Sequence, residues 1–119
     1  MVGSIGDMQV LGLPGNPVAS LVCSLLFLEP LIAKLSCRLP THREIRVKTA
    51  NALDTNDVRQ DYLRARIVGH EDGLPVAEVF SKQDSSMMKI MSQSDCLIIR
   101  PPNAPEVAAG AECFAIALR

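Results

Sequence analysis

Aromatic side chains are scarce in this sequence: among 119 residues there are three Phe, one Tyr and no Trp. Proteins that hold single-stranded nucleic acid stack its bases on such rings, so no nucleic-acid partner is expected, and any core must be aliphatic. The four cysteines (Cys23, Cys37, Cys96 and Cys113) include no C-x-x-C pair, and they read as small buried residues rather than as zinc ligands. Two isolated histidines, His42 and His70, add no ligand spacing and read as surface loop residues. No metal site is expected. The longest apolar run, Val18 to Leu28, is shorter than the roughly 20 residues that cross a bilayer, and no basic leader precedes it. The membrane is therefore excluded and the cytoplasm is the default location. Biased or repeated segments are also missing, so the chain belongs to the globular class.

Net charge is only −1, but it is unevenly spread. Residues 34–66 hold eight Lys/Arg against four Asp/Glu, and residues 67–119 hold four against seven. That asymmetry reads first as an ordinary solvated strand surface, and second as a face turned to an anion.

The length suits about one domain, or a small domain and a piece of another. Residues 9–13 (QVLGL) read as the end of a buried strand. Leu13-Pro14-Gly15-Asn16-Pro17 then reads as a rigid turn into a helix, because Asn caps free N–H groups and Pro fits the first helical turn. The helix is expected from Pro17 to about Ser36, with Pro30 kinking it or starting a second piece. It is apolar on almost every side, which marks a buried helix of a larger α/β domain whose earlier part is not in these residues. The segment CRLPTHRE places a boundary near residues 38–43.

Beyond that boundary the hydrophobic period falls to two. Ile45/Val47, Leu63/Ala65/Ile67 and Phe114/Ile116/Leu118 mark three strands; Val76–Phe80 and Cys96–Ile99 mark two more. About five short strands joined by turns such as HEDG (70–73) and PPNAPE (101–106) suggest a small β-barrel or sandwich, with a helical turn at Ser86–Met91 between two of them. The fold class is therefore an α/β fragment (strand, PGNP loop, long buried helix) in residues 1–40, followed by a small all-β barrel domain in residues 41–119.

Chemistry-bearing residues are few. The Gly-containing turn at a helix start offers backbone N–H groups to an oxyanion, although it lacks the glycine density and the Lys of a P-loop. Arg59 and Arg64 open a strand with guanidinium forks that match oxyanion geometry. Ser85 or Ser86 is placed to cap a helical turn or to donate a hydroxyl. Each feature also reads as an ordinary turn, surface arginine or cap.

In order along the chain, these segments resemble the C-terminal part of the molybdopterin molybdenumtransferase family, the MoeA-type enzymes that include the E domain of gephyrin. VLGLPGNPVASLV (10–22) is similar to the family's loop and helix. RQDYLRARI (59–67) resembles its Arg-x-x-Phe/Tyr-x-Arg strand, QDSSMMKIMSQSDCLIIRP (83–101) its Gln-x-Ser helix and following strand, and VAAGAECFAIAL (107–118) its closing turn and last strand. The resemblance implies an enzyme that inserts molybdate into adenylylated molybdopterin with release of AMP, assisted by magnesium, as a cytoplasmic homodimer. It implies that Pro14, Gly15, Asn16 and Pro17 lie at the active-site cleft and that Arg64, Ser85 and a hydroxyl of the turn, here Ser20, hold molybdate. Ala19 stands where many members have Ser. Magnesium ligands and catalytic acids have no counterpart in residues 1–9, so the chain alone is expected to be inactive. Two other classes fit the residues: a non-catalytic protein-binding or scaffold module built on the same barrel, and a nucleotide-binding fragment that uses GLPGN as a phosphate loop.

Overall fold

A computed structural model describes residues 1–41, 43–81, 83 and 88–119. The chain forms two compact units, one of which takes in Met1–His42 and the other Arg43–Gln83 with Lys89–Arg119.

In the first unit a hairpin precedes the loop. β1 (Val2–Ile5) pairs antiparallel with β2 (Met8–Leu11), joined by Gly6-Asp7. The strand expected to be buried is exposed at Met8 and Gln9 and half-buried at Val10 and Leu11, as befits one of two strands in a small sheet. α1 (Pro17–Cys23) begins as the sequence implies: Asn16 is the N-cap and Pro17 the first helical residue. The helix continues through a π-helical turn, Ser24–Leu28, into α2 (Glu29–Leu35). Pro30 lacks an N–H, and the wider turn just before it lets the helix pass through the proline instead of stopping there.

Among the described residues of this helix only Val18 is buried, while Phe27 is 54% and Leu35 65% exposed. The long buried helix of the sequence reading is thus formed, but within this chain its apolar side is open. Pro17–Leu35 is also long and apolar enough to cross a membrane by length and composition, a test that core helices of soluble domains pass as well. The run counted from Val18 to Leu28 understated it because Pro30 does not end the helix.

The second unit is a closed five-stranded barrel in the order β3-β5-β4-β6-β7. Its strands are β3 (Glu44–Thr49), β4 (Asp61–Glu71), β5 (Leu74–Val79), β6 (Cys96–Arg100) and β7 (Glu112–Ala117). β3 and β5 run parallel and every other pair antiparallel. HEDG is a tight hairpin turn: Glu71 pairs with Leu74, and both residues between them have positive φ, 52° at Asp72 and 78° at Gly73. This is the conformation that Asp-Gly supplies in two-residue hairpins. A bulge between Ile67 and Gly69 bends β4. His70 sits exposed on β4 rather than in a loop. α3 (Met88–Gln93) covers part of the helical turn expected at 86–91.

The barrel interior holds Val47, Leu53, Ala65, Ala77, Cys96, Ile98 and Ala115, with Ile45, Leu63 and Ile67 packed against them. Three alanines at full burial fit a narrow barrel, whose taper leaves room for small side chains. The alternation in β7 accordingly has the opposite phase to the one expected. Ala115 points inward and Phe114 is 54% exposed, since opposite Ile98 there is no space for a ring. Three basic residues of the strands, Arg46, Lys48 and Arg66, form ion pairs. Arg46 pairs with Glu112, Arg66 with Glu78 at 2.8 Å and Lys48 with Asp72 at 2.6 Å. The Lys48–Asp72 contact raises the lysine pKa and lowers that of the aspartate, mainly through the hydrogen bond between them. Its contribution is therefore present between the two ordinary pKa values and fades toward either extreme.

Cysteine burial is uneven. Cys96 is buried and Cys113 half-buried, whereas Cys37 is exposed, contrary to expectation, at a helix end where its φ is 55°. Burial, reinforced by the neighbouring Asp95, pushes the Cys96 thiol up to about 11, and burial also raises Cys113. Only the thiolate is nucleophilic, so iodoacetamide at pH 8 should label Cys37 first and spare Cys96 until denaturant is added. Mass spectrometry of partially labelled protein checks the order; early labelling of Cys96 contradicts the barrel packing.

Candidate functional site

The loop at Pro14–Pro17 is shaped by its own hydrogen bonds. Asn16 Oδ1 accepts from the N–H groups of Val18 (3.1 Å) and Ala19 (3.3 Å). The Ser20 N–H donates to the Asn16 carbonyl at 2.8 Å, and Pro17 has no N–H to offer. The first-turn donors that make a helix start attractive to an anion are therefore already occupied. Ser24 Oγ donates to the Ser20 carbonyl at 2.8 Å. Pro14 lines a hollow of about 540 Å³ together with Leu11, Leu13, Cys23 and Phe27, an apolar surface rather than an oxyanion seat.

Gly15 has ordinary backbone φ, and a Cβ built there meets nothing within 4 Å. The fold of this chain does not require glycine at 15. Gly15→Ala is expected to leave urea unfolding unchanged or to stabilise by about 0.4–1 kcal/mol through the unfolded state. A clear loss of stability in the same titration would show a local constraint that the geometry lacks.

The barrel unit carries Arg64. It lies on β4 opposite Leu97 of β6 and is 4% exposed. A guanidinium this shielded interacts with charge more strongly than one in water. Its backbone is gripped by a side chain that the sequence reading treated only as the first residue of a Gln-x-Ser pattern. Gln83 Oε1 accepts from the Arg64 N–H at 2.7 Å, and Gln83 Nε2 donates to the Arg64 carbonyl at 3.0 Å and the Phe80 carbonyl at 2.7 Å. Arg59, expected to open the strand with Arg64, sits exposed in the preceding loop, where its N–H donates to Asp57 Oδ1.

A second buried arginine escaped notice altogether. Arg100, 5% exposed at the end of β6, donates through Nη2 to the carbonyls of Asp54 (2.8 Å) and Pro105 (2.7 Å). Asn56 Nδ2 donates to the Arg100 and Pro101 carbonyls. Arg100 and Gln83 line a cavity of about 460 Å³ with Asp54, Asn56, Asp61 and Leu63. The signal available in the sequence was a charge that ends a strand otherwise apolar throughout, CLIIR.

Of the residues singled out from sequence, Pro14, Gly15, Asn16, Pro17 and Ser20 belong to the first unit and Arg64 to the second. Ser85 and Ser86 lie outside the described residues, as does His42. Among the described residues no group of three or more His, Cys, Asp or Glu could hold a metal ion.

Residues 46–118 match the model of a family described as the MoeA C-terminal region (domain IV). Solved structures that share the fold include the following. A molybdopterin biosynthesis moeA protein from Pyrococcus horikoshii OT3 aligns with TM-score 0.73 and 16% identity, over 98% of this chain and 28% of that one. A molybdenum cofactor biosynthesis protein from Pyrococcus furiosus aligns with TM-score 0.72 and 22% identity, over 98% and 40%. A further moeA structure from Pyrococcus horikoshii aligns with TM-score 0.74 and 20% identity, over 99% and 28%. The chain thus spans between 28 and 40% of the length of these proteins.

Proposed function

Because the chain belongs to the family of the MoeA C-terminal region, we propose that it is part of a molybdenum cofactor biosynthesis enzyme that inserts molybdate into adenylylated molybdopterin and releases AMP. In this reading residues 1–40 end the α/β catalytic domain and residues 41–119 form the C-terminal barrel domain of a cytoplasmic homodimer. Magnesium would be held by residues outside this chain.

The observation that carries the proposal is Arg64, a deeply shielded arginine on β4 within the segment that matches the family. Molybdate is a tetrahedral dianion, and a fixed guanidinium supplies charge-assisted hydrogen bonds to its oxygens. Ser85 would add a hydroxyl donor. The loop from Pro14 to Pro17 would act as a wall: its first-turn N–H groups are spent on Asn16, and the open space at Gly15 lets a ligand or another part of the enzyme come close to the backbone.

The test uses the full-length enzyme at limiting molybdate. Arg64→Ala is expected to reduce molybdenum insertion by about a hundredfold, the scale for losing one preorganised donor to an oxyanion, and Ser85→Ala to reduce it less. Insertion equal to that of the parent by both variants would refute the assignment.

A further inference from the structure

The side-chain amide of Gln83 does for Arg64 what a neighbouring strand does elsewhere in the barrel. β4 and β5 pair from Glu71–Leu74 to Ala65–Val79, interrupted only by the bulge between Ile67 and Gly69, and β5 ends there. One step further along β4, the Phe80 N–H still reaches the Arg64 carbonyl at 3.0 Å. The Arg64 N–H finds no strand residue on that side and donates instead to Gln83 Oε1, while Gln83 Nε2 returns a bond to the Arg64 carbonyl. One primary amide, a chemical copy of a peptide unit, thus supplies the acceptor for the Arg64 N–H and a second donor to the Arg64 carbonyl. Its remaining N–H ties it to Phe80 at 2.7 Å.

We infer that Gln83 is a positioning residue for Arg64: it prolongs the β4 ladder by one residue and so fixes the backbone from which the guanidinium meets the oxyanion. The inference rests on the molybdate reading of Arg64. Position matters here because a charged fork recognises tetrahedral oxygens only at the right distance and angle, and small displacements of such groups are costly. Without Gln83 the Arg64 N–H is left without its acceptor at the end of a ladder, where strands open most readily.

The experiment measures molybdate dependence in the full-length enzyme for the parent, Gln83→Met, Arg64→Ala and the double variant. Methionine keeps length and bulk but removes the three hydrogen bonds. Gln83→Met is expected to raise KM for molybdate about tenfold with kcat within about twofold, and to have no further effect once Arg64 is alanine, the non-additivity of residues that act through one another. An unchanged KM in Gln83→Met while Arg64→Ala raises it, or effects that simply add, would overturn the positioning role and leave the Arg64 reading intact. An unchanged KM in Arg64→Ala would overturn that reading, and the positioning role with it. If Gln83→Met does not fold, Gln83→Asn keeps the amide on a stem one methylene shorter. It should raise KM less while showing the same coupling to Arg64, and additive effects would again overturn the role. A residue that merely stabilised the barrel would lower the unfolding midpoint without that coupling.

Discussion

Ile98→Ala is expected to destabilise the barrel by about 2–5 kcal/mol, the range for truncating a buried Ile to Ala, and by the upper half of it. Ile98 has no exposed surface and sits mid-strand, paired with Leu63 of β4 and Ala115 of β7. Its removal therefore opens a gap that two neighbouring strands share. Ala65, Ala77 and Ala115 are the residues least able to fill that gap, since an alanine has no rotamer with which to reach inward. Against a typical domain stability of about 5–15 kcal/mol, a loss of this size moves the urea midpoint visibly. Phe114→Ala is the matched control. It deletes a larger side chain, but one that stands on the outside, and it should cost less. If this chain lost more stability on losing Phe114 than on losing Ile98, the inward assignment of β7 would be wrong.

Arg100→Met should cost about 3 kcal/mol. Methionine can occupy much of the space of the arginine stem but leaves the carbonyls of Asp54 and Pro105 without their shared donor. Hydrogen bonds from a charged group contribute about 1.5–3 kcal/mol each, partly offset because a guanidinium no longer has to be desolvated. These two carbonyls lie 46 and 5 residues from Arg100 in sequence, so the side chain pins two loops to the end of β6. Arg100→Lys, with one ammonium in place of the fork, should recover about half of the loss. The check is chemical denaturation of all three proteins; parental stability in Arg100→Met would mean that the loops hold without the arginine.

The parts legible in the sequence are those set by neighbours in sequence. Alternation in Ile45–Lys48 and Leu63–Ile67 revealed β3 and β4, HEDG (70–73) a turn between strands, and Asn16-Pro17 a helix start. Each depends on a local backbone preference or on a period of two. The phase of β7 was misread because both of its faces carry apolar residues, and only the bore of the closed ring decides that alanine goes in and Phe114 out. Pro30 was expected to kink the helix or begin a second piece, and it stands at the start of α2, directly after the π-helical turn. The candidate site divides in the same way. Arg64 stood out by residue type and pattern. Gln83 and Arg100 did not, because their partners are backbone atoms distant in sequence, 19 residues away for Gln83, that the topology alone brings near.

Closure of the ring also sets a timetable. β7 bonds to both β6 and β3, the latter from Glu44–Ile116 to Lys48–Glu112, so the first and last strands of the unit meet each other. During synthesis, strands β3 to β6 are complete while two edges still stand open, and unpaired edges invite pairing with other chains. Contacts between residues about 70 apart are slow to form for entropic reasons. The nascent barrel therefore has two open edges until Glu112–Ala117 leaves the ribosome, and loss of that strand would return it to that state.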